Sequence, residues 1–139
     1  MKLIASALND CKFSCCEMQD ARFDSNAWKD CEFSKCNLLD AELRSCALND
    51  IRFIACDLSN ALFVCDKAKL RKRDRDYCDV QFVDCNMEGV TFRGVRFVKT
   101  TFKNCNAERM TCENCSADRK SYASLQACGI DMSGVELIN

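Results

Sequence analysis

The chain has 139 residues, with 20 basic and 21 acidic side chains, a formal net charge of -1, 14 cysteines, 4 glycines, no proline and no histidine. That length suits one domain, and the near-neutral balance argues against a general nucleic-acid binder, which would be basic. No apolar run is long enough to span a membrane, and no proline- or glycine-rich stretch divides the chain.

From the N-terminus, one residue in five is apolar: Leu3, Leu8, Phe13, Met18, Phe23, Trp28, Phe33, Leu38, Leu43, Leu48, Phe53, Leu58 and Phe63. Met1-Lys2-Leu3-Ile4 enters this beat at once and lacks a signal-peptide layout. A helix has period 3.6 and a strand period 2, so neither produces a strict five. A fixed short repeat predicts a solenoid, whose units bury their apolar sides by stacking. Two residues before the beat lies a small apolar slot, filled by Cys11, Cys16, Cys31, Cys36, Cys46 and Cys56 and, between them, by Ala21, Ala41 and Ala61. Free cysteine behaves as a small apolar residue, so these thiols read as reduced core groups of a reducing compartment. Two side chains in five point inward and three outward. A short extended piece followed by a turn fits that pattern, and four such pieces would close a square coil.

Between Phe63 and Phe82 the beat fails, and residues 66–76 hold 6 basic and 3 acidic side chains. A protruding loop or distorted coil is expected near residues 65–79. It divides one domain, 1–139, into a first array (1–65), a break (66–79) and a second array (80–139). The segment reads either as a solvated insertion or as a contact site in which Lys69, Arg71, Lys72, Arg73 and Arg75 grip carboxylates or phosphates. The beat resumes at Phe82, Met87, Phe92, Phe97 and Phe102 and continues more weakly to Met132 and Leu137, with Cys85, Cys105 and Cys115 in the small slot. Ser133 to Asn139 ends inside the repeat, and no C-terminal helix is expected.

Pentads such as Ala21-Arg22-Phe23-Asp24-Ser25, Cys36-Asn37-Leu38-Leu39-Asp40 and Cys56-Asp57-Leu58-Ser59-Asn60 resemble the pentapeptide-repeat family, whose pattern is A(D/N)LXX. The resemblance covers nearly the whole chain outside the break. It implies an all-β fold, a right-handed quadrilateral parallel β-helix with four pentads per coil and about six to seven coils. The chain departs from the pattern before the beat, where Lys12, Glu17, Arg22, Ala27 and Glu32 replace the usual Asp or Asn. Coils stacked ~4.8 Å apart would place residues twenty apart in columns. Phe13, Phe33 and Phe53 would form an aromatic ladder, with Leu3, Phe23, Leu43 and Phe63 as a second core column.

Asp10, Asp20, Asp30, Asp40 and Asp50, then Asn60, follow alternate beat residues by two. The second half offers Asp84, Gly94, Asn104, Asn114, Ser124 and Gly134 in that slot. Turn chemistry at alternate corners accounts for these residue types. The other reading is an acidic surface, with Asp10, Asp30 and Asp50 on one corner and Asp20 and Asp40 on the opposite one. Stacked carboxylates repel, and turn geometry alone would not ask for them.

The missing histidine removes the usual general base and the commonest metal ligand. Cys112-Glu113-Asn114-Cys115 has the spacing of one zinc pair, where a strong signature needs two. Cys15, Cys65, Cys78 and Cys128 lie outside the small slot and are expected to be more exposed. The chain reads as a non-enzyme without cofactor or metal. The resemblance implies a protein-binding or scaffolding β-helix of a bacterial, cytoplasmic protein, with no direct nucleic-acid or membrane contact. It also implies two alternatives: a DNA-like rod that binds DNA gyrase and protects it from quinolones or toxins, or a segment of a secreted effector working in a host cytosol. Neither end carries the polar cap a solenoid normally has, so end-to-end pairing of two copies is a further expectation.

Overall fold

The computed structural model describes residues 2–4, 7–65 and 76–138. The backbone winds as a parallel β-solenoid of about six turns. The first face is a six-stranded sheet in the order β1 (Lys2–Ile4), β4 (Arg22–Asp24), β6 (Glu42–Arg44), β8 (Leu62–Val64), β10 (Thr91–Arg93) and β13 (Thr111–Glu113). A larger sheet wraps the second and third faces. It contains β2 (Ala7–Asn9), β5 (Ala27–Ser34), β7 (Ala47–Ile54), β9 (Asp76–Val83), β11 (Arg96–Val98), β14 (Cys115–Ala117) and β15 (Val135–Leu137), with β3 (Lys12–Ser14) beside β5 and β12 (Thr101–Lys103) beside β9. On the fourth face, parallel bridges link Glu17, Asn37, Asp57, Asn86 and Asn106 in turn. Each coil leaves that face through a β-turn, such as the Ala21 N–H donating to the Met18 carbonyl at 3.1 Å.

Register proves the twenty-residue repeat. Leu3 pairs with Phe23, Phe23 with Leu43 and Leu43 with Phe63. Across residues 66–75 the step becomes twenty-nine, with Phe63 opposite Phe92 and Phe53 opposite Phe82. The wall resumes at Asp76, inside the span expected for the break, and Tyr77 already sits opposite Leu48.

The described corners share one device. At twenty described corners the residue two after the beat has positive φ, as in Asp10 (54°), Cys15 (54°), Asp20 (61°), Ser25 (56°) and Lys35 (54°), while Ser124 and Gly134 lie in the helical turns of the last coil instead. The left-handed geometry is therefore not confined to alternate corners, as the aspartate spacing suggested. Such a backbone costs roughly 1–2 kcal/mol for a residue with a Cβ. What holds it is the inter-coil ladder: the Asp10 amide donates to the Lys29 carbonyl at 3.1 Å, Cys15 to Ser34 at 2.9 Å and Ser25 to Arg44 at 2.9 Å. Gly94, at φ 71°, has a further reason to lack a side chain, since a Cβ there would lie 2.4 Å from the Cys65 carbonyl oxygen.

The interior is four columns of beat residues. Phe13, Phe33, Phe53, Phe82 and Phe102 stack at centroid distances of 4.8, 5.1, 5.0 and 4.9 Å, with interplanar angles of 12° or less. The expected three-ring ladder is thus five rings long and crosses the break. Phe23, Leu43 and Phe63 are buried in the column on the opposite face, which Phe92 extends 4.8 Å from Phe63. Leu3 joins that column through its backbone pairing. Tyr77 takes a leucine's place beneath Leu48 and is fully buried, and among the described residues its hydroxyl has no hydrogen-bond partner.

The expectation of no C-terminal helix is wrong. α1 (Arg119–Ala127) replaces the third face of the last coil, with Asp118 as N-cap accepting from the Ser121 amide at 3.0 Å. Its inward residues are Ser121 and Leu125, one helical turn apart. The helix also closes the edge of β12. The Ser121 hydroxyl accepts from the Thr100 amide at 2.8 Å, and that of Ser124 from the Phe102 amide at 2.7 Å. Without the helix this edge would be open, and open strand edges invite pairing with other chains.

Two substitutions test the packing. Phe53→Ala should cost about 3–5 kcal/mol, because it opens a cavity in the middle of the ring ladder. Tyr77→Phe should stabilise the chain by about 1 kcal/mol, because it removes a buried hydroxyl that nothing satisfies. Urea unfolding measures both, and a loss of stability in Tyr77→Phe would mean that the hydroxyl has a partner.

Candidate protein-binding surface

The corner that joins the second face to the third carries the most regular charge on the rod. Strand pairing between Lys29 and Asn49 and between Asn49 and Cys78 places Asp30, Asp50 and Asp79 in one column, and the Asp10 amide bonds the same corner of the coil above. Asp10, Asp30 and Asp50 stack as the sequence suggests, but the column continues into Asp79, which the sequence reading missed, and then meets Lys99 in the next coil. Asp84 and Asn104 belong instead to the corner of Cys15, Lys35 and Ala55, where the Asn104 amide donates to the Asp84 carboxylate at 2.6 Å. Gly94 and Asn114 continue the corner of Ser25 and Ser45.

Asp20 and Asp40 stand on the opposite corner as expected, but that column does not stay acidic. It passes through Asn60, Gly89 and Arg109, and Arg109 pairs with Glu88. Elsewhere the flanks neutralise themselves across coils. Glu42 bridges Arg22 at 3.2 Å and Arg44 at 3.3 Å, Arg52 meets Glu32 at 3.7 Å, and Arg93 meets Glu113 at 2.8 Å. None of the ion pairs among the described residues uses Asp10, Asp30, Asp50 or Asp79. The Asp50 carboxyl is raised from its ordinary pKa by local desolvation and by the carboxylates of Asp79 and Asp30, while Lys29 opposes the shift. The column is therefore electrostatically strained, and the fold does not demand it, since other left-handed corners carry Ser, Ala, Lys or Asn.

Lys69, Arg71, Lys72, Arg73 and Arg75 lie outside the described residues. The described backbone leaves the wall at Cys65 and resumes at Asp76, in the strand that carries Asp79. A groove of about 650 Å³ follows the glycine-bearing corner of the last coils, lined by Gly94, Asn114, Gly134, Arg96, Ser116 and Glu136 among others.

None of the 14 cysteines forms a disulfide. Cys36 and Cys46 are buried, and burial pushes each thiol up to about 11. The Cys85 thiol draws both Cys56 and Cys105 down to about 7, and is itself pushed up by those two sulfurs. Of the cysteines outside the small slot, Cys15 is exposed and Cys78 and Cys128 are half-buried, but Cys65 is buried at a corner. Cys112 and Cys115 point inward from different faces, and no group of three potential metal ligands occurs among the described residues. Among the described residues no helix is long and apolar enough to cross a membrane.

Compared with known proteins, residues 79–109 match the family model for pentapeptide repeats. No curated protein matches the sequence. Among solved structures, full-length QnrB1, a plasmid-mediated fluoroquinolone resistance protein, is similar at 14% identity and a TM-score of 0.37, covering 99% of this chain and 92% of its own. A pentapeptide repeat protein from the Arabidopsis thaliana thylakoid lumen is similar at 22% identity and a TM-score of 0.30, covering 78% of this chain and 65% of its own. Rfr23 from the cyanobacterium Cyanothece 51142 is similar at 10% identity and a TM-score of 0.39, covering 86% and 89%.

The strain on Asp50 has a definite pH signature. The folded chain holds this proton more tightly than the unfolded chain, where an aspartate titrates near 3.9. No penalty therefore exists below that value, and stability falls as pH rises through the raised folded pKa. Asp50→Asn should gain roughly 0.2–1 kcal/mol at pH 7, toward the lower end because the site is exposed. The gain should fade at pH 3 and in 1 M salt. Denaturant titrations at both pH values check this, and equal gains would trace the effect to corner geometry instead.

Proposed function

We propose that the chain acts without catalysis, as a pentapeptide-repeat rod that binds another protein through its acidic corner. The column of Asp10, Asp30, Asp50 and Asp79 carries this reading. It is repulsive, it is maintained across the break in the sequence, and the fold would accept neutral residues in its place. A partner with a basic groove would relieve the repulsion and gain a straight line of charge at fixed spacing. The basic segment 66–75, which precedes Asp79 in the chain, would give the complex a second contact of opposite sign.

The second reading takes the basic groove to be one that normally receives nucleic acid, as in DNA gyrase. A regular single file of negative charge favours it, although the pitch differs from that of DNA. The column places one carboxylate per coil, ~4.8 Å apart, against one charge per about 3.4 Å along each strand of DNA. Lys29 beside the column lowers the resemblance.

A gyrase supercoiling assay with and without quinolone separates the two. The gyrase reading expects the chain to alter supercoiling or its inhibition, and expects the Asp10, Asp30, Asp50 and Asp79→Asn variant to lose at least tenfold in potency. No effect at stoichiometric excess removes gyrase. The broader reading expects any captured partner to bind this variant at least tenfold more weakly and to release from the native chain as salt rises. Equal binding of both proteins would end the acidic-corner reading.

A further inference from the structure

One interior column carries a thiol in five successive coils. Cys16, Cys36, Cys56, Cys85 and Cys105 stand above one another, because the residues that follow them, Glu17, Asn37, Asp57, Asn86 and Asn106, pair in that order. Packing does not require this. The equivalent slot on the preceding face holds Cys11, Cys31, Ile51, Val80 and Thr100, and the one on the following face holds Ala21, Ala41, Ala61, Val90 and Met110.

The sulfurs repeat in position as well as in sequence. Cys36, Cys56, Cys85 and Cys105 donate to the phenylalanine carbonyl of the coil before at 3.3, 3.2, 3.2 and 3.3 Å. They also lie 3.5, 3.5, 3.4 and 3.4 Å from the carbonyl two residues back. Equivalent placement makes the sulfur spacing equal to the coil rise, and the adjacent ring ladder puts that rise between 4.8 and 5.1 Å. A disulfide needs about 2.05 Å, so neighbours do not bond where they stand. Two collinear metal–sulfur bonds of about 2.3 Å each span about 4.6 Å, which nearly matches the rise.

We propose that this column binds soft monovalent cations of the copper(I) type, each held between two successive sulfurs. A tetrahedral zinc site is not on offer, because no three potential ligands converge among the described residues. Opposed thiol pairs suit closed-shell copper(I) and silver(I), which prefer soft sulfur and accept two ligands in a line. Each coordinated thiol gives up its proton to solvent. Five sulfurs leave four gaps, so a filled column sets four cations against five thiolates, and the interior changes by one charge only. The end members, Cys16 and Cys105, are half-buried and offer entry, while Cys36, Cys56 and Cys85 are buried.

The test depends on adjacency rather than on thiol number. Serine is the conservative replacement, since the Thr100 hydroxyl already makes the same two bonds, to the Tyr77 carbonyl at 2.8 Å and the Val98 carbonyl at 3.1 Å. Cys11 and Cys31 form one further stacked pair, so every protein compared also carries Cys31→Ser. Cys36→Ser/Cys85→Ser leaves no two column thiols adjacent, whereas Cys16→Ser/Cys105→Ser removes as many thiols and keeps the Cys36, Cys56 and Cys85 run. Reduced proteins, checked for folding by circular dichroism, are titrated with silver nitrate without chloride or oxygen and followed by native mass spectrometry and thermal melting. The alternating variant should bind at least two fewer silver ions than the end variant and lose its silver-induced rise in melting temperature. Equal stoichiometry and equal melting shifts in the two variants would overturn the proposal. So would an equal response to zinc chloride, which would point to ordinary thiol coordination. This inference does not rest on the acidic corner, and neither outcome bears on it.

Discussion

The structure depends on one local conformation, the left-handed residue at each corner. The cost of that backbone repeats up to four times per coil and recurs in residues as unsuited to it as Lys35 and Ala55. It is held because each corner amide then points along the rod axis to a carbonyl of the next coil, as Asp10 does to Lys29 and Ala55 to Val83. A coil alone would have the strain without the bonds, so stacking and turning are inseparable. The same geometry sets the inward columns one coil rise apart, and the ring ladder then fits without adjustment at interplanar angles of 12° or less.

This explains which parts of the molecule the sequence could reveal. The beat identifies what points inward, because a side chain two places from a left-handed corner has no other direction. It identifies columns only while the count of twenty is unbroken. Residues 66–75 add a surplus of nine, which is visible as a phase change of one within the pentad. Which face the chain re-enters is a question modulo twenty, and the phase within five cannot answer it. Asp84 therefore looked like the successor of Asp50, when register gives that place to Asp79. The helix escaped notice for a related reason. Tyr122 and Ala127 keep the beat, yet the inward side chains are Ser121 and Leu125, chosen by helical spacing and fixed by the Asp118 cap. Asp118 followed three residues later by the amide it accepts from was the local signal, and the stronger five-residue pattern hid it.

The helix also separates two ways of ending a solenoid. Serine hydroxyls from α1 satisfy the β12 edge, bonding the Thr100 and Phe102 amides in place of another strand. β15 continues the larger sheet beside β14 and leaves Leu137 half exposed. The third face is thus closed by side chains while the second is extended by backbone. That division lets the register of twenty continue from Ala117 to Leu137 although no strand connects them on the third face.

A repeat fold offers a specific route from structure to function. Each slot is presented several times under nearly identical geometry, so its tolerance is visible within one chain. The left-handed corner accepts Ser, Ala, Lys, Asn and Gly, yet one corner keeps carboxylates through four coils against their mutual repulsion. The small inner slot accepts Ala, Val, Ile and Thr, yet one column keeps thiols through five. Folding energetics are indifferent to the second choice and oppose the first. A residue type that persists where the fold neither needs nor favours it is the observation from which both proposals start. Both columns run at the spacing of the coils, so whatever meets them, along the outer edge or within, meets a ruled line of identical groups.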